Sequence, residues 1–374
     1  MTFLMTGDLY RNSRAIKQLR ALASRAWTVD VYFLQGHAPR VALPGGIRPH
    51  ALPRPEGSGP AFFRKVQQLF VETLDSKEAD LFHASDLYAL PACHSRADDL
   101  EAPYSYDARE YYPHVAGTVG KPWARWWWAR VERKHIRDAS AVFTVSDSIA
   151  HALASDYGIP TPVVVANVPP SAIPDGAEGV DLRTLSSGSS RPIILHLGLM
   201  KAHRGGETLV RAMEHAPEAD LVFLGSGPAQ SSLESLSTEL GLRDRIHFMD
   251  PVPPDAIRAT IRTADIGVTL LEGNCLNHRY ALPNKLFDYI HAGLPVLASD
   301  LDETKRVVDQ FSIGCTTQAD NPIDVGMTIR DMLNRLPERP WEEGLRTAAE
   351  TFVWESASQR FLDRLDAVLP PVAP

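Results

Sequence analysis

The sequence has few cysteines, no surplus of positive charge and no long apolar run, and each shortage removes a class of function. Three cysteines occur in 374 residues: Cys93, Cys275 and Cys315. Their odd number and wide spacing make neither a zinc pattern nor a disulfide framework, and they favour a reducing, cytoplasmic setting. The formal net charge is −8, which argues against nucleic acid held by general electrostatics. No uncharged apolar stretch approaches the ~20 residues that a bilayer span needs. The opening MTFLMTGDLY has no basic residue ahead of an apolar run, which predicts no secretory leader. No Asp-x-Asp stands in a metal-site setting, so neither a metal nor another cofactor is expected. Apolar residues make up 44% and charged residues 22%, so the chain is globular, with length for two domains.

What is present is a repeated alternation of strands and helices. Residues 2–6 read as a strand closed by Gly7, 11–25 as a helix, and 29–34 as a second strand. Residues 36–61 are rich in Pro and Gly and read as a loop with short strands. The alternation predicts parallel sheets with helices on both faces. Short strands at 79–82 and 104–106 run into His83-Ala84-Ser85-Asp86 and Asp107-Ala108-Arg109-Glu110. Such sheets bind ligands past their carboxyl ends, so His83, Glu110 and Gly7 are candidates there. Against this, His83 can cap a helix, Glu110 can pair with Arg109, and Gly7 can be a plain turn residue. A Pro/Gly/Ser-rich stretch then marks a linker over 171–191, between a first domain at 1–170 and a second at 192–354.

Residues 121–137, KPWARWWWARVERKHIR, join aromatic rings and cations. On a helix, Trp123, Trp127, Val131 and Trp128 cover one broad side, and Trp126, Arg130, Arg133 and Arg137 another. That mixture suits a membrane interface carrying anionic lipid, the chain then resting peripherally on the inner face of a membrane. A core helix with a solvated Arg side is the plainer reading.

The second half restarts the alternation. A strand at 192–197 ends at Gly198, and a strand at 219–224 runs into Gly225-Ser226-Gly227-Pro228, a turn that would let a ligand approach the backbone. A helix is expected at 254–263. The stretch 277–300 reads NHRYALPNKLFDYIHAGLPVLASD. Pro283 suits a helix start, Gly293 its end, and Pro295 forbids continuation. Such a helix points unpaired N–H groups near Asn284, Lys285 and Leu286 at whatever lies before it, with the positive end of its dipole behind them. Lys285 adds a charge, making an anion site. Asp288 shares the Asn284 and Lys285 face one turn on and suits a diol such as a ribose. Phosphate donors followed by a diol acceptor describe a nucleotide diphosphate. An ordinary capped surface helix is the alternative.

The ordered motifs resemble those of the GT-B glycosyltransferases, family 4, over about residues 1–365. LFDYIHAGLPVLASD is similar to the family's EAMA-x-G-x-PVVA segment, with Asp288 at the second Glu of its Glu-x7-Glu motif and Tyr280 where the first is expected. GLMKAHRG (198–205) resembles its phosphate loop, Arg204 matching the Lys, while Leu199 replaces an Arg. LGSGP (224–228) resembles a turn beside the nucleotide. His247 and Phe248 match a segment whose backbone reads the base, and Glu303 matches a further Glu. YDAREYYP (106–113) resembles a YD-x-HE segment, with Arg109 in place of His.

The resemblance implies two Rossmann-like doubly wound parallel-sheet domains facing across a cleft, acceptor on the first and nucleotide sugar on the second. It also implies a final helix, 355–374, returning to the first domain. The implied activity is metal-independent, retaining transfer of a sugar from a nucleotide diphosphate donor, UDP favoured, to a hydroxyl of a glycan or lipid-linked acceptor. Arg204 and Lys285 would neutralise the leaving diphosphate. A sugar-nucleotide epimerase of the same fold, or a non-catalytic sugar-nucleotide-binding subunit, are the alternatives.

Overall fold

The computed structural model describes residues 1–37, 41–172, 178–186 and 191–369. Two units form: Met1–Asn167 together with the segment from Glu355 onward, and Val168–Trp354. In the first, β1 (Thr2–Met5), β2 (Val29–Leu34), β3 (Ile47–Leu52), β4 (Phe82–Ala84), β5 (Tyr104–Ala108), β6 (Ala141–Thr144) and β7 (Val163–Val164) make one sheet. Its order is β3-β2-β1-β4-β5-β6-β7, and every pairing is parallel. β1, β4, β5 and β6 are buried along their whole length, as strands covered by helices on both faces must be.

The helices of this unit are α1 (Ser13–Ser24), α2 (Gly59–Leu74), α3 (Leu90–Asp99), α4 (Pro122–Ile136) and α5 (Asp147–Tyr157). Asn12 caps α1 by accepting from the Ala15 N–H at 3.0 Å, and Ala15, Leu19 and Leu22 follow as one buried stripe. β3 is a short strand inside the Pro/Gly-rich stretch read as a loop with short strands. It is an edge strand, mostly exposed, and it carries Pro49. An edge tolerates proline, whose missing N–H the ladder does not need, so the strand lacks the usual apolar signal.

Two buried carboxylates tie helices to this sheet. Burial alone would raise the Asp107 pKa, but Arg14 at 2.7 Å through two nitrogens, with Gln18 at 2.9 Å, holds it well below the usual carboxylate range. Glu132 of α4 has no cation. It accepts from Tyr106 Oη at 2.6 Å and Tyr157 Oη at 2.7 Å, and burial pushes it up to about 7.

The second unit holds β8 (Ile193–Leu197), β9 (Asp220–Leu224), β10 (Ile246–Met249), β11 (Ile266–Thr269), β12 (Val296–Ser299) and β13 (Gly314–Thr317), all parallel, in the order β10-β9-β8-β11-β12-β13. Its helices are α6 (Gly206–Ala212), α7 (Gln230–Glu239), α8 (Ile257–Ile261), α9 (Leu276–Tyr280), α10 (Asn284–Ala292), α11 (Asp302–Phe311), α12 (Pro322–Arg335) and α13 (Glu342–Thr351). The helix expected over 254–263 shrinks to the five residues of α8. Strand order reverses between β8 and β11, the position where open α/β sheets leave a crevice past their carboxyl ends.

The described part of the expected linker is pinned to this unit. Val180 and Leu182 donate their N–H groups to Thr260 and Thr263 at 3.0 Å, and Arg183 pairs with Asp265. Most of the Ser/Gly run at 186–190 lies outside the described residues. The last helix, α14 (Trp354–Asp366), lays Phe361 against Phe143 and His83 of the first unit, at ring distances of 4.9 and 5.8 Å. Arg364 donates to Ser140 O at 2.7 Å.

Candidate functional site

α10 follows Pro283, which is its N-cap rather than its first residue, and Gly293 ends it in the left-handed region. Pro283 supplies no side-chain cap to its amino end. The Leu286 N–H is not available as expected, because it donates to Pro283 O at 3.0 Å. The first turn therefore offers the backbone groups of Asn284 and Lys285.

Lys285 Nζ lies 3.1 Å from His196 Nε2. His196 stands in the apolar strand β8 and is 1% exposed, and burial with the neighbouring Lys285 charge drives it well below its ordinary range. The neutral ring is favoured, and in one tautomer its Nε2 can accept from the Lys285 ammonium. Lys285 is half-buried. Burial, then the Arg204 guanidinium, pushes its ammonium down to about 7, with Asp288 opposing weakly. Burial, and after it the charges of Arg204, His203 and Lys201, also lowers His278. One corner of the second unit thus gathers Lys201, His203, Arg204, His278 and Lys285. Glu272 lies 2.6 Å from His203 Nδ1, and the Asp288 carboxylate acts on Lys285. Burial first, and then the neighbouring cations, lowers Lys285 and His278, so an anion bound here would favour their charged forms. A cavity of about 490 Å³ opens beside them, lined by His196, Lys201, His203, Arg204 and Glu272 among others. A second cavity of about 520 Å³ lies around Trp341 and Arg339 at the far end of α10 and holds none of the expected site residues.

The glycine turn has a cause within the fold itself. A Cβ on Gly225 would fall 2.1 Å from Gly198 O, and one on Gly227 would fall 2.1 Å from Met200 O. These glycines let two backbone segments touch, with the 198–200 loop on the side where a Cβ would stand. The Met200 N–H donates to Ser226 O at 3.0 Å and so fixes the base of the Arg204 loop. Gly198 itself faces open space.

The remaining expected residues scatter. His247 points toward Asp220, 3.8 Å away at the start of β9, and Phe248 stacks on Phe223 at 5.1 Å; neither side chain joins the cation cluster. Glu303 is 1% exposed and held by Arg306 at 2.7 Å. Tyr280 ends α9, half-buried.

In the first unit, Gly7 follows β1 without left-handed backbone. The acceptor role expected of His83 is corrected by its burial. The ring is 0% exposed, packed on Phe3 at 4.6 Å and bonded to Ser105 Oγ at 2.8 Å, and burial lowers it to about 3. It is a core side chain. Glu110 is exposed, and Arg109 turns instead to Ser85 Oγ and to Asp107, 3.7 Å away. The polar groups past this sheet's reversal are Thr6, Ser85, Asp86 and Arg109, with Asp86 accepting from Thr6 Oγ1 at 2.6 Å. Sequence reading missed Arg14, Asp107 and His196. A charged or imidazole side chain inside an otherwise apolar strand was the available signal for the last two.

The fold is that of the GT-B glycosyltransferases. A sucrose-phosphate synthase from Thermosynechococcus elongatus superposes over 98% of both chains with a TM-score of 0.77 at 16% identity. The Anabaena protein HepE, solved with UDP, covers 98% of this chain and 99% of its own with a TM-score of 0.72 at 15% identity. At the sequence level, residues 13–169 match the family model described as a glycosyl transferase 4-like domain, and residues 191–335 match glycosyl transferases group 1. The chain carries these two glycosyltransferase domains in tandem. A D-inositol 3-phosphate glycosyltransferase from Xylanimonas cellulosilytica is 28% identical over 185 residues, 46% of this chain and 41% of that protein. The chain spans between about a third and a half of the curated relatives it matches.

Proposed function

We propose that this chain is a retaining family 4 glycosyltransferase that moves a sugar from a nucleotide diphosphate donor, a UDP-sugar, to a hydroxyl of a glycan or lipid-linked acceptor. The observation that carries the reading is the Lys285–His196–Arg204 cluster at the start of α10. A diphosphate is complementary in charge to Lys285 and Arg204, and its binding would restore the lowered Lys285 ammonium. In the reaction, the bond from the anomeric carbon to the diphosphate oxygen breaks as the acceptor oxygen bonds to that carbon. The acceptor proton passes to the departing diphosphate. Charge grows on that leaving group, so fixed cations aimed at it lower the barrier without a metal. Asp288, one turn beyond Lys285, is assigned to the ribose diol.

UDP is favoured because HepE was solved with UDP and with UDP-glucose. The three cysteines are free, which suits cytoplasmic glycoconjugate synthesis. The test is a thermal-shift screen with UDP, GDP, ADP and dTDP, followed by transfer assays with the sugar of the stabilising nucleotide. Binding to the folded state alone raises the melting temperature. The expected result is a rise with UDP that Asp288→Ala weakens. No rise with any nucleotide, or a donor KM unchanged by Asp288→Ala, overturns the assignment.

A further inference from the structure

α4 and the turn before it present an exposed surface that joins aromatic rings and cations. Trp123 is 61% exposed, Trp126 65% and Val119 52%. Trp127 and Trp128, expected to share a membrane contact, do not. They pack on Phe63 at 5.0 and 5.3 Å, and Trp128 packs on Tyr88 at 5.2 Å. The four tryptophans therefore divide into a packed pair and a solvent-facing pair, and the packed pair anchors the helix that displays the other.

Around the exposed pair stand Lys121, Arg130, Arg133, Lys134 and Arg137, all exposed. The only acid in residues 119–137 is Glu132, on the opposite side of the helix and 0% exposed. A chain of net charge −8 thus concentrates cations on one helix face. Arg130 lies over the Trp126 ring at 5.7 Å. Arg133 lies over Tyr157 at 5.4 Å, and Arg137 donates to Tyr157 O at 2.9 Å. The rear of the stripe is braced to the fold, while the two indoles project at its front.

We infer that this face docks on a bilayer bearing anionic headgroups, with Trp123 and Trp126 entering the interface and Arg130, Lys134 and Lys121 meeting lipid phosphate. Indoles seat at the headgroup level, and each nearby Lys or Arg adds electrostatic attraction. A second copy is a poor occupant, because joining two such faces would oppose five cations to five. No helix among the described residues is long and apolar enough to cross a membrane, so the contact lies in the surface plane. It needs no nucleotide and stands apart from the reading of the α10 site.

The experiment is co-sedimentation of the full chain with phosphatidylcholine vesicles and with vesicles that also contain phosphatidylglycerol. Binding is expected to the second kind only and to weaken with salt. Trp123→Ser with Trp126→Ser, and separately Arg130→Glu with Lys134→Glu, should each lower affinity at least about tenfold. Trp123→Phe with Trp126→Phe should retain most of it. Melting curves and the nucleotide thermal shift should match the parent chain in every variant, which separates docking from donor binding. Brominated phospholipid should quench wild-type fluorescence, and quenching should fall in Trp126→Phe. Absence of binding to the anionic vesicles, or unchanged binding of both double variants, overturns the inference.

Discussion

Replacing Lys285 by Met tests whether the start of α10 is an anion site that its own cations leave strained. A drop of the lysine pKa from 10.5 to about 7 corresponds to about 4–5 kcal/mol of unfavourable charge. Solvent still touching the half-buried side chain screens part of it, leaving about 2 kcal/mol. Lys285→Met should therefore make the empty protein more stable by that amount at neutral pH. The sign follows from the direction of the shift. Between the folded value near 7 and the unfolded value of 10.5, the unfolded chain binds more protons, so wild-type stability rises with pH. The penalty is complete below pH 7 and fades toward 10.5, and the advantage of the variant must fade with it. UDP should reverse the ranking: Lys285→Met should bind it at least about thirtyfold more weakly, a loss of about 2 kcal/mol. Urea unfolding at pH 7 and pH 9, with and without UDP, measures each quantity. Calorimetry at pH 8 in two buffers should show uptake of up to about one proton per UDP by wild type and none at this position in the variant. A variant less stable at pH 7, with a pH-independent deficit and wild-type UDP affinity, would refute the reasoning.

Two further substitutions probe the scaffold. Glu132→Gln removes a buried carboxyl whose pKa is raised from 4.5 to about 7. Its contribution is fully present below pH 4.5 and is lost as pH rises through 7, so the variant should gain up to about 3 kcal/mol on wild type above pH 7 in urea melts; a pH-independent difference would contradict this. Gly227→Ala drives a methyl to 2.1 Å from Met200 O; it should cost about 2 kcal/mol or more and weaken the UDP thermal shift, and an alanine variant matching wild type on both would show that the two backbone segments need not touch.

The alternation of apolar strands with amphipathic helices was readable from periodicity, because burial on both faces of a parallel sheet forces near-continuous apolar runs such as Ile193–Leu197. Pro283, Asn284, Lys285 and Gly293 were readable as a helix start and stop because caps are local chemistry. β3 was readable only as an unplaced short strand within a loop stretch, since an edge strand needs no apolar pattern and accepts Pro49. Nor could the chain alone separate Trp123 and Trp126 from Trp127 and Trp128: helical spacing lists the faces, but only Phe63 and Tyr88, brought from other elements, decide which face is covered.

The same division runs through the site. The linear order named Lys285, because a cation in the first turn of a helix carries its own electrostatic meaning, and named Arg204 through its match to a phosphate-loop motif. It set His83 just past a strand end, when the residue lies inside β4 and is buried under Phe3 and Phe361. It read Gly225 and Gly227 as ligand clearance and did not show that Gly198 and Met200 stand on the side where a Cβ would be. It gave no reason to join His196 to Lys285, which lie 89 positions apart. Local sequence determined which groups carry charge and where helices begin; packing between distant segments decided which of those groups reach solvent, which are neutral, and which stand close enough to share an anion.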